Sequence, residues 1–328
     1  TVTKGLNKTE KTEIEENINS WEYSINRIFR AYQDNVLLEF TATADLQDPN
    51  VRNKYLDKIV YDYTLKKFRE SGYTKDFQNM QGDYGPWPRT LGALILSEYR
   101  RHLFGDAGQN VKPVVLLKSK TIKESEAFYE EFFENLNNIS IDEILAFKNL
   151  DNEFLNNGIE YFLEKDPSLH GLVVDLKVGF SQEKAIIINN KSDSEEKEKQ
   201  IEVNSLEAPD NPYRIIFTVN MLNEGWDVLN LFDIVRLYET RDGKNGKPGK
   251  TTISEAQLIG RGARYCPFQV EESQSRYKRK YDYDITNENR ILETLLYHSM
   301  QDSRYISELR YALKQTGLLA DSPVEGGL

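Results

Sequence analysis

The sequence has 328 residues, 39% of them hydrophobic, and a formal net charge of −11. This length allows about two domains with real cores, and the acidic charge excludes a uniformly basic nucleic-acid binder. The single cysteine, Cys266, excludes an intramolecular disulfide and a multi-cysteine zinc site. It is typical of a reducing compartment, so we expect a cytoplasmic protein.

The three histidines, at positions 102, 170 and 298, are far apart in sequence, so no metal site is predicted. No apolar run reaches the ~18 residues of a membrane span, and the polar start is not a signal peptide. Neither a membrane partner nor a bound metal is therefore expected.

Apolar periodicity predicts helices at 20–32, 64–70, 89–104, 121–136, twice within 139–163, and at 254–268, 289–297 and 305–316. Strands or extended segments are predicted at 36–40, 55–63, 112–119, 171–178, 213–219 and 231–238. The segment 72–88 is expected to be a loop because it is rich in Gly, Pro, Gln and Asp, and the charge run 192–199 a solvated loop. Strand, short loop and helix over 112–136 form half of a parallel βαβ unit, so the fold class is α/β.

The most informative stretch is 254–268, SEAQLIGRGARYCPF. At 100° per residue, Gln257, Arg261 and Arg264 fall within about 60° of one another on a helix. Ser254 and Gln257 have the spacing of a capping box that would start this helix at Ser254. Two arginines on one face suit a phosphate chain, and Gly260 allows a ligand or backbone to approach closely. The competing interpretation is an amphipathic helix with solvated arginines.

Two predicted strands run into polar turns, where α/β proteins place ligand-binding loops. Thr41 and Thr43 follow the strand at 36–40, and Glu224, Gly225 and Asp227 follow the strand at 213–219. Each could also be an ordinary turn, because small hydroxyl and acidic residues favour turns.

Two basic segments could contact a nucleic-acid backbone. The first, 241–250, is a Gly-rich loop that includes Lys244 and Lys247. The second, 275–283, interleaves basic residues with tyrosines. A mobile surface hairpin and an exposed edge strand, respectively, explain them equally well.

Taken together, Thr-Ala-Thr, Asn-Glu-Gly-Trp-Asp and Gln-x-x-Gly-Arg-x-x-Arg resemble motifs III, V and VI of superfamily 2 helicases. The segments 221–227, 230–240 and 257–268 look like the Res subunit of type III restriction-modification enzymes, as do 297–299 and 303–313. The resemblance covers most of the chain and is strongest over 213–268.

This resemblance implies a RecA-like parallel sheet flanked by helices, with a helical C-terminal extension. It divides the chain into a C-terminal remnant of the first RecA-like domain at 1–45, the second RecA-like domain at 46–270, and a basic, helical extension toward a nuclease domain at 271–328. The full-length protein would couple ATP hydrolysis to cleavage of double-stranded DNA. Its partners would be double-stranded DNA, the modification (methyltransferase) subunit and the first RecA-like domain of the same chain.

The resemblance also implies roles for individual residues. Arg261 and Arg264 would meet the ATP γ-phosphate, with Gln257 ordering them or the attacking water. The residues implied in nucleotide binding are Glu224, Gly225, Asp227 and Gly260. Those implied in DNA contact or coupling are Thr41, Thr43, Lys118 and Ser119; Lys244 and Lys247 are added as candidate DNA contacts because their loop is basic.

The sequence departs from the helicase pattern in two places. It has no Gly-x-x-x-x-Gly-Lys-Ser/Thr phosphate loop, and no Asp-Glu pair after a strand upstream of Thr41. ATP and Mg²⁺ are therefore expected only in the full-length protein, and this chain alone is expected to bind neither and to be inactive.

Two alternatives stay open. The first is the motor domain of another superfamily 2 DNA translocase or repair helicase. The second is a non-catalytic module for nucleic-acid or protein interaction, which the acidic charge favours mildly.

Overall fold

The computed structural model describes residues 23–40, 49–189, 194–219, 226, 228–243 and 247–319. The chain divides into two compact units, Thr1–Asp62 and Tyr63–Leu328. In the described part of the first unit, helix α1 spans 23–29 and α2 spans Pro49–Tyr55. The predicted strand at 36–40 is wrong, because this segment has no regular secondary structure and Phe40 is 91% exposed. Residues 55–63 form no strand either.

The second unit begins with α3 (Leu65–Glu70), β1 (Asp76–Gly82), α4 (Pro86–Asp106), β2 (Val114–Lys118), α5 (Ile122–Asn137), α6 (Ile141–Ala146), α7 (Glu153–Lys165) and α8 (His170–Gly179). It continues with β3 (Ala185–Ile188), α9 (Ser194–Asn204), β4 (Ile215–Thr218), β5 (Leu231–Arg236), α10 (Lys250–Gly262), a 3₁₀ helix (Glu288–Glu293), β6 (Thr294–Met300) and α11 (Ser303–Thr316). None of the helices in these described residues is both long and apolar enough to cross a membrane.

The strands form one six-stranded sheet in the order β1-β6-β5-β2-β4-β3. Every pairing is parallel, as in the register of Val115 with Ile215 and Leu116 with Ile216 between β2 and β4. A parallel sheet must be covered on both faces, which explains why β2, β4 and β5 are buried along their whole length. The predicted fold, an α/β RecA-like parallel sheet flanked by helices, is confirmed.

The alternation of side chains along β2 shows how the two faces are filled. Val115 and Leu117 point into one hydrophobic core, which contains residues of α4, α5, α7 and α8. Val114 and Leu116 point into the other, which contains residues of α10 and α11. The helix α10, which carries the candidate arginines, therefore packs on the opposite face of the sheet from α4.

Two predictions between residues 72 and 178 are wrong, and the strand β3 is missing from the predicted elements. The segment 72–88 is not a loop throughout, because it contains β1, an edge strand that pairs only with β6 among the described strands. The segment 171–178 is not a strand but lies in α8, where Leu172 and Leu176 are buried while Val174 and Val178 stay exposed.

Four predictions in the second half of the chain also fail. The segment 289–297 is a 3₁₀ helix followed by β6, so residues predicted as an extension contribute a central strand. The described part of the charge run lies in α9. The helix predicted at 254–268 begins at Lys250 and ends at Gly262. Ser254 does not cap it, since Ser254 lies in its second turn and its hydroxyl is buried without a hydrogen-bond partner.

The remaining predicted elements are confirmed with small changes of boundary. These are the helices at 64–70, 89–104, 121–136 and 305–316, the two within 139–163, and the strands at 112–119, 213–219 and 231–238. The described part of the predicted helix at 20–32 is helical over 23–29.

Candidate functional site

The helix α10 starts at a defined cap and presents one polar face. Gly249 is the N-cap, and the Asp242 carboxylate accepts hydrogen bonds from the backbone N–H and hydroxyl of Thr251, at 3.0 and 3.1 Å. Ala256, Leu258 and Ile259 are buried in the core shared with the sheet and α11, whereas Ile253 is 45% exposed. Gln257 is exposed on the opposite side, and Arg261 is half-buried at the last turn.

Arg261 and Arg264 converge on one backbone carbonyl, that of Trp226. Their Nη1 atoms donate to this oxygen at 3.2 and 3.4 Å, respectively. Arg264 lies two residues beyond the end of α10, where its backbone forms an isolated antiparallel bridge with Thr74. From this position its side chain reaches the same Trp226 carbonyl as Arg261. The structure therefore brings together the two arginines that the spacing predicted to lie on one face.

Trp226 is itself firmly held. Its side chain is 2% exposed, and its indole Nε1 donates to the Val203 carbonyl at 3.0 Å. It lies in the core together with residues of α10 and α11. The carbonyl that the arginines contact is thus fixed by a buried side chain of the same residue.

The N-terminal half of α10 is fastened by a buried carboxylate, Glu255. It is fully buried and accepts from Arg236 Nε at 2.9 Å, from the Tyr238 hydroxyl, and from the Tyr305 hydroxyl at 2.9 Å. The Tyr305 hydroxyl also lies 2.7 Å from that of Tyr297. Burial raises the pKa of both Tyr297 and Tyr305 well above the usual value, so these phenols stay neutral.

The C-terminal end of α10 is fastened by Lys75. Its Nζ donates to the carbonyls of Leu229, Gly262 and Arg264 at 2.7, 2.9 and 2.7 Å. The side chain is 1% exposed, and this burial lowers the pKa of the ammonium to about 7. The sequence analysis did not identify Lys75 or Glu255 as residues of the candidate site. Their partners are distant in sequence, and no sequence motif indicates such contacts.

Lys118 and Ser119 lie at the carboxyl end of β2, as predicted for a ligand-facing strand end. Both are 3% exposed. Lys118 Nζ donates to the Val219 carbonyl at 2.7 Å, and the Ser119 N–H donates to the Thr218 carbonyl at 3.0 Å. Burial lowers the pKa of Lys118. In this arrangement the side chain of Lys118, at the end of β2, is bound to the backbone that follows β4. Its contact with DNA stays a prediction.

Several predicted site residues lie outside the described residues: Thr41, Thr43, Glu224, Gly225, Asp227 and Lys244. Lys247 is described and exposed. Gly260 is half-buried in α10, and a Cβ placed there would lie 3.3 Å from Leu318. The roles predicted for all of these residues stay predictions.

The basic segment 275–283 divides into inward and outward side chains. Arg279 pairs with Asp282 at 2.6 Å and donates to the Thr74 carbonyl at 2.7 Å. Lys280 Nζ donates to the Tyr265 hydroxyl at 2.5 Å. Arg276 and Lys278 are exposed. The segment contains no strand, so the edge-strand interpretation is wrong. Arg279 and Lys280 make structural hydrogen bonds, and the exposed Lys278 ammonium lies 4.8 Å from the centre of the Tyr73 ring.

One group of potential metal ligands occurs in the described residues: Glu98, His102 and Asp175, whose ligand atoms lie within 4.8 Å of one another. Glu98 already pairs with Arg101 at 2.6 Å and with Arg214. His102 and Arg101 contact the Asp175 carboxylate at 2.8 and 3.2 Å. Because cations of the protein already neutralise these carboxylates, we interpret the group as an ion-pair network.

A six-stranded parallel sheet flanked by helices, with two arginines near the end of one of them, defines a parallel-sheet α/β domain. The family model described as HI_1054_N, N-terminal region, matches residues 251–322. A Haemophilus influenzae protein named as a probable type III restriction-modification enzyme HindVIP Res subunit is 37% identical over 269 residues, 74% of this chain and 52% of the relative. The predicted resemblance to Res subunits is thereby confirmed, and the chain spans about half the length of this relative.

Other similarities are more distant or shorter. An uncharacterized Haemophilus influenzae protein is 48% identical over 80 residues, 24% of this chain and 17% of that protein. Among solved structures, Saccharomyces cerevisiae Dbp5 bound to RNA and ADP BeF3 has a TM-score of 0.41 and 14% identity, covering 90% of this chain and 52% of that one. A fragment of a putative HsdR subunit of a Vibrio vulnificus type I restriction enzyme has a TM-score of 0.35 and 11% identity, covering 88% and 43%.

Proposed function

We propose that this chain is the second motor domain of an ATP-dependent DNA translocase of the type III Res kind. In the full-length protein it supplies Arg261 and Arg264 to an ATP site whose other half is the first RecA-like domain. The observation that supports this role is the convergence of both guanidinium groups on the Trp226 carbonyl. Two arginines brought within reach of one oxygen are spaced to meet neighbouring oxygens of a phosphate chain.

The chemistry assigned to this chain is charge stabilisation. ATP bound with Mg²⁺ would supply the transferable phosphoryl group, and we assign the lysine and the metal ligands that hold it to the first RecA-like domain. Arg261 and Arg264 would neutralise negative charge that develops on the phosphoryl oxygens. The exposed Gln257, one turn before Arg261, would orient the arginines or the attacking water.

The same proposal assigns the partners of the full-length protein. Double-stranded DNA is the track, and a modification (methyltransferase) subunit reads the recognition sequence. Cleavage belongs to a separate nuclease domain. The exposed Lys247, and the exposed Arg276 and Lys278 of the basic segment, are the described cations of these two segments that could contact DNA phosphates.

The test is DNA-stimulated ATP turnover by the full-length protein carrying Arg261→Ala or Arg264→Ala. An arginine that stabilises the phosphoryl-transfer transition state contributes about 10³–10⁵ in rate, so kcat should fall by about 10³-fold while ATP binding persists. Arg310→Ala, at an exposed position of α11, is the matched control and should leave kcat unchanged. Wild-type turnover by both arginine variants would instead favour a non-catalytic interaction module.

A further inference from the structure

Lys75 joins two separate segments of the candidate site through one ammonium group. Its acceptor Leu229 follows Trp226 by three residues, and its acceptor Gly262 ends α10. Its third acceptor is the carbonyl of Arg264 itself. The same Nζ atom therefore contacts the segment that supplies the acceptor carbonyl and the helix end that supplies the arginines.

The backbone around Lys75 is fixed in the same place. The Lys75 N–H donates to the Ala263 carbonyl at 2.7 Å, and Thr74 bridges to Arg264. On the other side, Arg279 Nη1 donates to the Thr74 carbonyl, and the Arg279 N–H donates to the Gly72 carbonyl at 2.8 Å. The backbone at Thr74 and Lys75 is therefore held in place by hydrogen bonds, and it binds the residues that follow the end of α10.

The chemistry of these contacts favours a positioning role over simple filling of space. The last carbonyls of a helix have no partner within the helix, and a cation there is stabilised by the helix dipole. In its protonated form Lys75 has three donors, and each one meets a backbone carbonyl within 2.9 Å. Because burying a charge is costly, an apolar side chain would serve better if filling space were the only requirement.

We propose that Lys75 is a positioning residue for the arginine pair, holding the Leu229 carbonyl and the end of α10 in fixed register. The proposal rests on the function proposed above. Arg264 should depend on Lys75 most, because Arg264 lies two residues past the helix end and its own carbonyl is one of the three acceptors. Arg261 retains the hydrogen-bond ladder of α10.

The test uses the full-length protein with Lys75→Met, which keeps an unbranched side chain only one atom shorter and removes all three donors. Misplacing a catalytic group by about 1 Å can cost about 100-fold, so kcat for DNA-stimulated ATP turnover should fall by about 10- to 100-fold. KM for ATP should change little, since the arginines act in the transition state. Lys112→Met is the control, because Lys112 is a half-buried lysine that likewise donates to a backbone carbonyl, that of Asn211, away from α10.

A double variant separates positioning from general destabilisation. If Lys75 acts through Arg264, then Lys75→Met combined with Arg264→Ala should be no slower than Arg264→Ala alone. Multiplied defects would overturn the proposal. Wild-type kcat in folded Lys75→Met would overturn it as well.

Folding and the parent proposal are controlled separately. The Tm of each variant is measured, and if Lys75→Met does not fold at the assay temperature, Lys75→Gln replaces it in the same comparison. Lys75→Arg, which keeps the charge and several donors, should recover more kcat than the neutral variants at matched Tm, and an equal loss would contradict positioning. If Arg264→Ala keeps wild-type kcat, the proposed function fails. If Arg264→Ala lowers kcat but the Lys75 variants keep the wild-type value, only the positioning role fails.

Discussion

The buried ammonium of Lys75 should leave a signature in the pH dependence of stability. Burial, the largest cause, lowers its pKa from 10.5 to about 7 in the folded chain, while Cys266 and Glu207 raise it and Arg100 lowers it. Between about pH 7 and 10.5 the unfolded chain therefore holds a proton that the folded chain has released. Raising the pH in this window favours the folded chain, and below about pH 7 the effect is absent.

The magnitude follows from the size of the pKa shift. Each unit of pKa difference is worth about 1.4 kcal/mol, so the Lys75 contribution should rise by about 2 kcal/mol from pH 7 to pH 9. The lysines Lys112 and Lys280, whose pKa burial lowers to about 8, add similar slopes of their own. The comparison must therefore be between wild type and Lys75→Met, in which the other two contributions are the same.

The assay is urea unfolding of the purified chain at pH 6, 7, 8 and 9, followed by circular dichroism. Relative to Lys75→Met, the wild-type free energy of unfolding should be flat from pH 6 to 7 and rise by about 1 kcal/mol per unit above it. Lys123→Met, at an exposed position of α5, should keep the wild-type slope. A difference between wild type and Lys75→Met that stays constant from pH 6 to 9 would refute the reasoning.

Three further predictions concern the same helix and the chain as a whole. Glu255→Ala leaves the buried Arg236 without its carboxylate and should cost about 3–5 kcal/mol in urea unfolding, whereas Glu126→Ala, on the exposed side of α5, should cost less than 1 kcal/mol. Gly262→Ala places a Cβ 3.0–3.3 Å from leucines of β5 and β6, so it should be less stable than Gly260→Ala by about 1–3 kcal/mol. The purified chain, with Mg²⁺ and double-stranded DNA, should show no ATP turnover in a phosphate-release assay; turnover that Arg264→Ala abolishes would contradict this.

The central strands were predictable because their burial is complete. Four adjacent aliphatic residues in β2, and similar runs in β4 and β5, are the pattern of strands covered on both faces. The edge strand β1, DFQNMQG, carries polar residues on half-buried positions, so its composition resembled a loop. The apolar run of β6 is too short for periodicity to separate a strand from a helix, and its pairing with β1 and β5 decided between them.

The prediction of a strand at 171–178 failed for a different reason. The segment's run of apolar residues predicts a strand, whereas Leu172 and Leu176 alone are buried, at helical spacing, and Val174 and Val178 face outward at 57% and 64% exposure. A single sequence does not show which of its apolar residues are exposed to solvent.

The candidate site contains features that depend on local sequence spacing and others that depend on contacts between residues far apart in sequence. The spacing of Gln257, Arg261 and Arg264 is local, and it correctly predicted that the two arginines lie together. What holds them there is distant: Lys75 lies 187 residues before the Gly262 carbonyl and 189 before that of Arg264. The motif therefore identifies the groups that would meet a phosphate, but a lysine in a segment expected to be a loop fixes the direction in which they point. A variant survey confined to the motif would miss that residue, and the double variant of Lys75 and Arg264 is the measurement that would reveal it.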